Sequence, residues 1–327
     1  MTVMSYIQAV TTALREEMQR DEKVFVLGED VGKKGGVFKA TEGLYDEFGE
    51  YRVLDTPLAE SAIAGVGIGA AMYGMRPVAE MQFADFIMPA VNQIISEAAR
   101  IRYRSNNDWN CPIVIRAPYG GGVHGALYHS QSVEALFANQ PGLKIVMPST
   151  PYDVKGLLKA AIRDNDPVLF FEHKRAYRLL KGEVPDEDYV LPIGKADVKR
   201  EGSDITIITY GLCVHFALQA AEKLADEGID AHILDLRTVY PLDKEAIIEA
   251  AKKTGKVLLV TEDNKEGSII GEVAAIIAEN CLFDLDAPVQ RLAGPDIPAM
   301  PYAPTMEKFF MMNPEKIEKA MRELAEF

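Results

Sequence analysis

Two side chains of the sequence are placed where they could carry proton chemistry. The first is Glu60, in DTPLAES (55–61), which precedes AIAGVGIGAAMYGM, a run of small and apolar residues typical of a buried helix. A helix N-terminus stabilises an exposed carboxylate by roughly 0.3–1 kcal/mol, so Glu60 could be an ordinary surface residue. The alternative is that Glu60 meets a buried group and shares a proton with it. The local residues leave both interpretations open.

The second side chain is His129, in APYGGGVHGALYHSQS (117–132), where hydroxyl and amide side chains flank it. An imidazole in such a loop could be a general acid or base near neutral pH, and a hydrogen-bonded structural histidine is the alternative. His124 is in the same loop, but a zinc site would need a third ligand that the loop does not supply. The glycines at 120–122 could cradle an anion through their amides or form a simple turn.

Several familiar site motifs are missing. No GxSxG elbow is present, which removes serine hydrolysis of the α/β-hydrolase type. GVGIGA (65–70) lies inside a predicted helix, so it favours close packing over dinucleotide binding, and the absence of GK[ST] after the loop glycines excludes a P-loop. Cys111, Cys213 and Cys281 are far apart and odd in number, and they predict neither a disulfide framework nor a zinc site.

Alternating strands and helices have to position these residues. The apolar runs KVFVLGE, PIVIRAP, LKIVMPS and PVLFFEH predict buried strands, and helical periods such as 86–104 lie between them. This alternation predicts an α/β fold of doubly wound parallel sheets, which bind ligands beyond the carboxyl ends of their strands. Phe86, after the strand-like PVAEMQ, could fill the core or stack on a flat ring. A polar linker over 173–204 predicts two domains, 1–185 and 190–327.

Composition limits the partners and the compartment. The chain has 327 residues, 48% of them hydrophobic, and a formal net charge of −14. Such a surface repels nucleic acid and anionic membranes and suits a basic protein partner. The first residues predict an amphipathic helix rather than a signal peptide, and no apolar stretch reaches the roughly 20 residues that span a bilayer. We therefore expect a cytoplasmic protein.

Four stretches together resemble the β subunits of the thiamine-diphosphate-dependent 2-oxo acid dehydrogenases. They are DTPLAES, EMQFADFIMPAVNQIISEAARIRYRS, GALYHSQS and DLRTVYPLD, and the similarity runs from the first helix to the last. HGALYHSQSVEALF above all is more similar to the branched-chain (2-oxoisovalerate) type than to the pyruvate type. The resemblance implies a pyrimidine-binding domain of the thiamine diphosphate fold, followed by a transketolase C-terminal-like domain. It also implies an oxidoreductase that decarboxylates branched-chain 2-oxo acids.

The resemblance assigns roles to particular residues. Glu60 would hydrogen-bond the aminopyrimidine nitrogen of thiamine diphosphate, and a dry site would favour sharing a proton there because burial disfavours the charged carboxylate. Phe86 would pack on that ring, Leu58 would line its pocket, and Glu29 would join a polar passage between paired active sites. His129 would assist acyl transfer to lipoamide. The positions that match a structural potassium site of some relatives are Ile113, Ala161, Ile162, Asp164 and Asp166.

The resemblance also indicates that this chain holds half of a site. Thiamine enzymes grip the diphosphate and magnesium with GDG and a downstream asparagine, and no GDG occurs here. An α subunit would therefore hold the magnesium, in an α2β2 heterotetramer that shares the cofactor. The acidic C-terminal domain would dock a basic domain of the lipoyl acyltransferase core. Two alternatives stay open, namely a pyruvate or acetoin dehydrogenase β subunit and a non-catalytic scaffold subunit.

Overall fold

The computed structural model describes residues 1–327, and the contacts among them define two compact units. The first unit contains Met1–Tyr119 and Leu136–Ile193, and the second contains Gly120–Ala135 and Gly194–Phe327. The second unit thus includes a short segment from the first half of the chain, and that segment carries His129. The domain boundaries 1–185 and 190–327 stay a prediction. That prediction treated each domain as one continuous stretch of the chain.

The first unit contains a parallel sheet, and the apolar runs of the sequence form its central strands. The strands of the first unit are β1 (Thr2–Ser5), β2 (Val24–Gly28), β3 (Val53–Asp55), β4 (Arg76–Glu80), β5 (Val114–Tyr119), β6 (Lys144–Val146), β7 (Val168–His173) and β8 (Lys181–Val184). Strands β6, β7, β5, β4, β2 and β3 lie side by side in that order, and all neighbours run parallel. Strands β1 and β8 form a separate antiparallel pair.

Seven α-helices belong to the first part of the chain. They are α1 (Tyr6–Arg20), α2 (Leu44–Phe48), α3 (Glu60–Met72), α4 (Ile101–Arg104), α5 (Glu134–Ala138), α6 (Pro151–Arg163) and α7 (Ala176–Leu179). Local sequence explains where the longest begin: Ser5 and Gln8 form a capping box for α1, and the Thr150 side chain accepts from Asp153 N at the start of α6. Helices α1 and α6 pack together, and their buried apolar faces form one core with the sheet.

The predicted helix over 86–104 is wrong as a regular α-helix. The segment instead consists of a 3-10 helix over Ala84–Ala90, a π-helical turn over Gln93–Glu97, a second 3-10 turn over Ala98–Arg100 and then α4. Pro89 lies inside the first piece, where it has no N–H to donate and its ring opposes regular α-helical geometry. The apolar periodicity was correct, but the backbone winds tighter and then looser than an α-helix.

The second unit contains a sheet of its own. Its strands are β9 (Asp197–Arg200), β10 (Ile205–Thr209), β11 (Ala231–Asp235), β12 (Thr238–Tyr240), β13 (Val257–Asn264) and β14 (Gln290–Gly294). Five of them form a sheet in the order β14-β13-β10-β11-β9, parallel except for β9. Its helices are α8 (Cys213–Ala225), α9 (Lys244–Thr254), α10 (Ile269–Cys281), α11 (Pro304–Phe310) and α12 (Pro314–Ala325). Both units have the α/β architecture that the alternation predicts.

None of the helices combines the length and the apolar character that a bilayer span requires.

Candidate active site

The carboxyl ends of three neighbouring strands in the first unit bring four of the predicted site residues to one edge. Strand β2 lies between β3 and β4, and all three run parallel. Glu29 follows β2, Leu58 and Glu60 follow β3, and Phe86 follows β4. Residues on different loops therefore lie at the same end of the sheet, which is the end where parallel sheets bind ligands.

Hydrogen bonds join the loops after β2 and β3. Thr56 N donates to Gly28 O at 2.9 Å, and Gly32 N donates to the Asp55 carboxylate at 2.6 Å. A Cβ added at Gly32 would lie 2.4 Å from an Asp55 carboxylate oxygen, so a larger residue there would displace the Asp55 carboxylate that accepts this amide. The two loops are thus held in register beside the first turn of α3.

Glu60 is the first residue of α3 and is half-buried in this chain. The N-cap residue of α3, Ala59, has no side chain that could satisfy the first amides of the helix. Leu58, two residues before Glu60, exposes 71% of its surface, and the Thr56 hydroxyl is buried without a hydrogen-bond partner. An acid, an exposed aliphatic side chain and a buried hydroxyl without a partner thus occur within five residues.

Carboxylates are crowded around Glu29. Burial raises the pKa of Glu29, and the negative charges of Asp30 and Glu60 raise it further. Lys34 opposes this shift, and its ammonium group lies 2.7 Å from Asp30 Oδ2. Glu29 therefore keeps its proton to a higher pH than an isolated surface carboxylate would.

Phe86 is half-buried and rests on other aromatic rings. The Phe83 and Phe86 centroids lie 5.5 Å apart in an edge-to-face arrangement, and Phe38 packs edge-on against Phe83 at 5.3 Å. Such pairs fix ring orientation because the aromatic quadrupole favours edge contacts. One side of Phe86 therefore packs in the core, and part of its surface stays open. This agrees with core packing and also leaves room for stacking on a flat ring.

A buried ion network that the sequence analysis missed lies behind this edge. Arg116, on β5, is fully buried and donates to both carboxylate oxygens of Glu172 at 2.7 and 2.6 Å and to Glu80 at 2.6 Å. The Tyr177 hydroxyl also donates to Glu172 at 2.6 Å. Burial raises the pKa of Glu80, and Arg116 opposes that shift. One charged residue within each of the apolar runs PIVIRAP and PVLFFEH was the available signal.

The residues at this edge fit the pyrimidine half of thiamine diphosphate. A carboxylate, an aromatic face and an aliphatic side chain are the groups that hold a flat heterocycle with a basic ring nitrogen. The buried Thr56 hydroxyl without a partner points to the same place. They do not fit the diphosphate and magnesium half, since no group of three or more His, Cys, Asp or Glu side chains could hold a metal ion.

His129 lies in the second unit, in a loop of unusual backbone conformation. Positive φ angles recur at every second residue, at Gly120 (85°), Gly122 (78°), His124 (57°) and Ala126 (53°). Alternation of this kind turns successive N–H groups toward one side, where they can surround an anion. His129 itself is half-buried, and its neighbours Ser130 and Ser132 line a cavity of about 90 Å³.

The anions that this loop receives belong to the protein. Gly121 N donates to Glu262 at 2.6 Å, and Gly122 N and His124 N each donate to Glu307 Oε1 at 3.2 Å. The second oxygen of Glu307 lies 2.5 Å from His124 Nδ1. The loop glycines thus cradle carboxylates rather than a phosphate group. Sequence reasoning missed both glutamates because they lie far along the chain.

A third buried glutamate, Glu134, follows the loop. Its Oε1 accepts from the Tyr210 hydroxyl at 2.8 Å, and its Oε2 has no hydrogen-bond partner. Burial, then the charge of Asp263, raises the pKa of Glu134 to about 8. Burial also raises the pKa of Asp263 to about 6. Residues beside the histidine loop therefore titrate close to neutral pH.

The predicted potassium ligands lie together in the first unit, but protein cations already engage them. Arg76 donates to the carbonyls of Ile162 and Asp164 at 2.9 Å each. Lys144 lies 2.6 Å from the Asp164 carboxylate, and Arg102 lies 2.5 Å from that of Asp166. The carbonyls of Ile113 and Ala161 accept from backbone amides.

Charge balance decides how well a potassium ion fits this group. Lys144 and Arg102 already pair with the two carboxylates, and Arg76 occupies two of the carbonyls, so a further positive charge would meet repulsion. These residues do not fit a potassium ion well, and the potassium site stays a prediction.

Comparison with known proteins agrees with this geometry. Residues 2–179 match the family profile described as transketolase, pyrimidine binding domain, and residues 194–317 match transketolase, C-terminal domain. The chain is 85% identical to the 2-oxoisovalerate dehydrogenase subunit beta of Bacillus subtilis (strain 168), with all of both chains covered. It is 50% identical, again over all of both chains, to the pyruvate dehydrogenase E1 component subunit beta of the same strain.

A solved structure shares the fold. The chain matches a split gene transketolase, described as an inactive beta4 tetramer, with a TM-score of 0.80 and 24% identity. The match covers 99% of this chain and 98% of that one. The predicted pairing of a pyrimidine-binding domain with a transketolase-type C-terminal domain is confirmed.

Proposed function

The chain belongs to the family of the 2-oxoisovalerate and pyruvate dehydrogenase β subunits, and on that premise we propose that it is the β subunit of a branched-chain 2-oxo acid dehydrogenase. Its reaction is the oxidative decarboxylation of branched-chain 2-oxo acids, with transfer of the acyl group to lipoamide. One observation carries the choice of substrate: at full coverage, identity is 85% to the 2-oxoisovalerate relative and 50% to the pyruvate relative of the same strain.

Thiamine diphosphate is the cofactor that this function requires, and when bound it supplies the electron sink for decarboxylation. Glu60 would hydrogen-bond the ring nitrogen of its pyrimidine half and share a proton with it. Phe86 packs against the ring face, and Leu58 covers the ring with an aliphatic surface. Glu29, whose pKa is raised by burial and by nearby carboxylates, joins a polar passage between paired active sites. In these roles the first unit binds and orients the pyrimidine ring and shares a proton with it.

His129 takes part in the second half of the reaction. Its imidazole delivers a proton to the lipoyl sulfur as the acyl group is transferred, which is general acid catalysis near neutral pH. The position of His129 in a loop held by buried carboxylates supports this role, because general acids need a defined orientation.

An α subunit completes the enzyme. The diphosphate and magnesium need oxygen ligands that this chain does not assemble, so we assign them to a partner with GDG and a downstream asparagine. The assembly is an α2β2 heterotetramer in the cytoplasm. The net charge of −14 supports docking of a basic domain from the lipoyl acyltransferase core.

Reconstitution with such an α subunit tests the proposal. Decarboxylation of 3-methyl-2-oxobutanoate should exceed that of pyruvate in kcat/KM by at least about tenfold, because each methylene missing from an apolar pocket costs roughly 10–200-fold. A preference for pyruvate would favour the alternative to which the 50% identical relative points.

Glu60→Gln separates catalysis from a scaffold role. The amide is isosteric but cannot share the proton, so decarboxylation should fall by about 10²–10⁴-fold while folding and assembly with the α subunit persist. Glu42→Gln, at an exposed carboxylate of the same unit, is the matched control. Unchanged turnover in Glu60→Gln would favour a scaffold subunit.

A further inference from the structure

The loop that carries His129 adopts a conformation that it would not keep by itself. Residues with side chains rarely adopt positive φ, yet His124 and Ala126 both do so. Three glycines at 120–122 add freedom rather than stiffness. Something outside the loop must therefore stabilise this backbone.

Glu307, on α11, is the group that best meets this requirement. Its side chain is 4% exposed, and its Oε1 accepts two backbone amides of the loop, from Gly122 and His124. Its Oε2 contacts the imidazole of His124. Glu262, on β13, adds one further bond, to the amide of Gly121. The loop amides stabilise these carboxylates in return, because burying a carboxylate without hydrogen-bond partners costs free energy.

The backbone connects this contact to His129 over a short distance. A Cβ added at Gly125 would lie 2.7 Å from both Cβ and the carbonyl oxygen of His129, and 3.0 Å from the Ser130 hydroxyl. Residue 125 therefore packs directly on the histidine. A displacement of residues 122–124 would therefore reach the backbone and Cβ of His129 through Gly125.

We propose that Glu307 is a positioning residue for His129, acting through the amides of Gly122 and His124. The carboxylate is an internal anion around which the loop folds, and this fixes the direction of the imidazole. The proposal rests on the proposed role of His129 in acyl transfer, whereas the contact between Glu307 and the loop can be tested without it.

Hydrogen exchange of the full-length chain tests the contact. Glu307→Ala removes all three interactions, and Glu307→Gln keeps the shape but loses the charge. Glu318→Ala is the matched control, because Glu318 is a buried glutamate of the same unit that pairs with Lys223 at 2.7 Å instead of with the loop. Exchange at residues 121–124 should accelerate about 10- to 100-fold in Glu307→Ala, which corresponds to the loss of charge-assisted hydrogen bonds.

The enzyme assembled with its α subunit tests the consequence. In Glu307→Ala and, less severely, in Glu307→Gln, acylation of a lipoylated acyltransferase domain should fall at least about tenfold, a factor typical of a displaced catalytic group. Decarboxylation with an artificial electron acceptor should stay within about threefold of wild type, because it does not use His129 as acid. This split separates positioning from general destabilisation, which would lower both rates together.

The outcomes are distinguishable. If exchange in residues 121–124 is the same in both Glu307 variants as in Glu318→Ala, the contact does not hold the loop and the proposal is overturned. If exchange accelerates but both rates fall equally, Glu307 is structural and the positioning role is overturned. If the wild-type assembly does not decarboxylate 2-oxo acids, the proposed function fails, and the exchange result still decides whether Glu307 holds the loop.

Discussion

Replacing Arg116 with methionine tests the buried network behind the candidate site. Methionine keeps most of the apolar stem but removes the guanidinium that donates to Glu80 and to Glu172. Breaking a buried ion pair by removing one partner costs about 3–5 kcal/mol, because the remaining charge is left without compensation. We expect a cost toward 3–4 kcal/mol, since Tyr177 still donates to Glu172.

Thermal unfolding measures this cost. A domain of this size loses about 2–4 °C in Tm for each kcal/mol, so Arg116→Met should unfold about 6–16 °C below wild type at pH 7. The matched control is Arg15→Met, which breaks an exposed pair with Glu47 at 2.9 Å. Exposed pairs contribute about 0–1 kcal/mol, so the control should lose at most about 4 °C.

Acidity should rescue the variant. Burial and the charge of Glu172 raise the pKa of Glu80 in the folded state, and without Arg116 nothing opposes that shift. The stabilising contribution of Glu80 is then present below its unfolded pKa and lost as pH rises, so the deficit should be smaller at pH 5 than at pH 8. A double variant with Glu80→Gln should also recover part of the loss. If the Tm of Arg116→Met at pH 7 lies within about 2 °C of wild type, the reasoning that the network is charged and shielded from water is refuted.

Three further predictions concern the second unit and the ion. Glu134→Gln should flatten the pH dependence of the free energy of unfolding. Burial raises the pKa of Glu134 from 4.5 to about 8, so the stability that this carboxyl contributes is lost as pH rises across that window. The loss, obtained from Tm measurements, should be at most about 1.4 kcal/mol per pH unit. Equal pH profiles for the two proteins would contradict this. His129→Ala should lower lipoamide acylation by about 10²–10⁴-fold while decarboxylation with an artificial acceptor falls much less; equal loss in both assays would exclude the assigned role. Exchanging potassium for choline at constant ionic strength should shift Tm by less than about 2 °C, because protein cations already occupy the site; a larger fall would support a bound potassium ion.

Periodicity and strand-end logic predicted the elements that position the first half of the site. Buried runs such as VLFFEH became strands, and three neighbouring parallel strands then brought Glu29, Glu60 and Phe86 to one edge. This worked because the side-chain period and the ligand-binding end of a parallel sheet follow from local geometry. The irregular helix around Pro89 was predicted incorrectly, since an apolar stripe reports which face is buried but not how tightly the backbone winds.

Contacts between distant parts of the chain could not be predicted in this way. Glu307 and His124 are 183 positions apart in the sequence, and Glu262 and Gly121 are 141 positions apart. No spacing rule links such pairs, because their proximity is created by the packing of the second unit. The sequence left the glycine loop open between an anion cradle and a simple turn, and only the folded structure showed that its amides bind the carboxylates of Glu262 and Glu307.

The division of the chain into two units limits where the chain can be cut without separating residues of one unit. Because Gly120–Ala135 groups with Gly194–Phe327, a break in the chain between residues 136 and 193 would leave each fragment with part of the second unit. Such a break would separate the histidine stretch from Glu262 and Glu307, which accept hydrogen bonds from its amides. A cut just before Gly120 would instead keep the stretch and these carboxylates on one fragment.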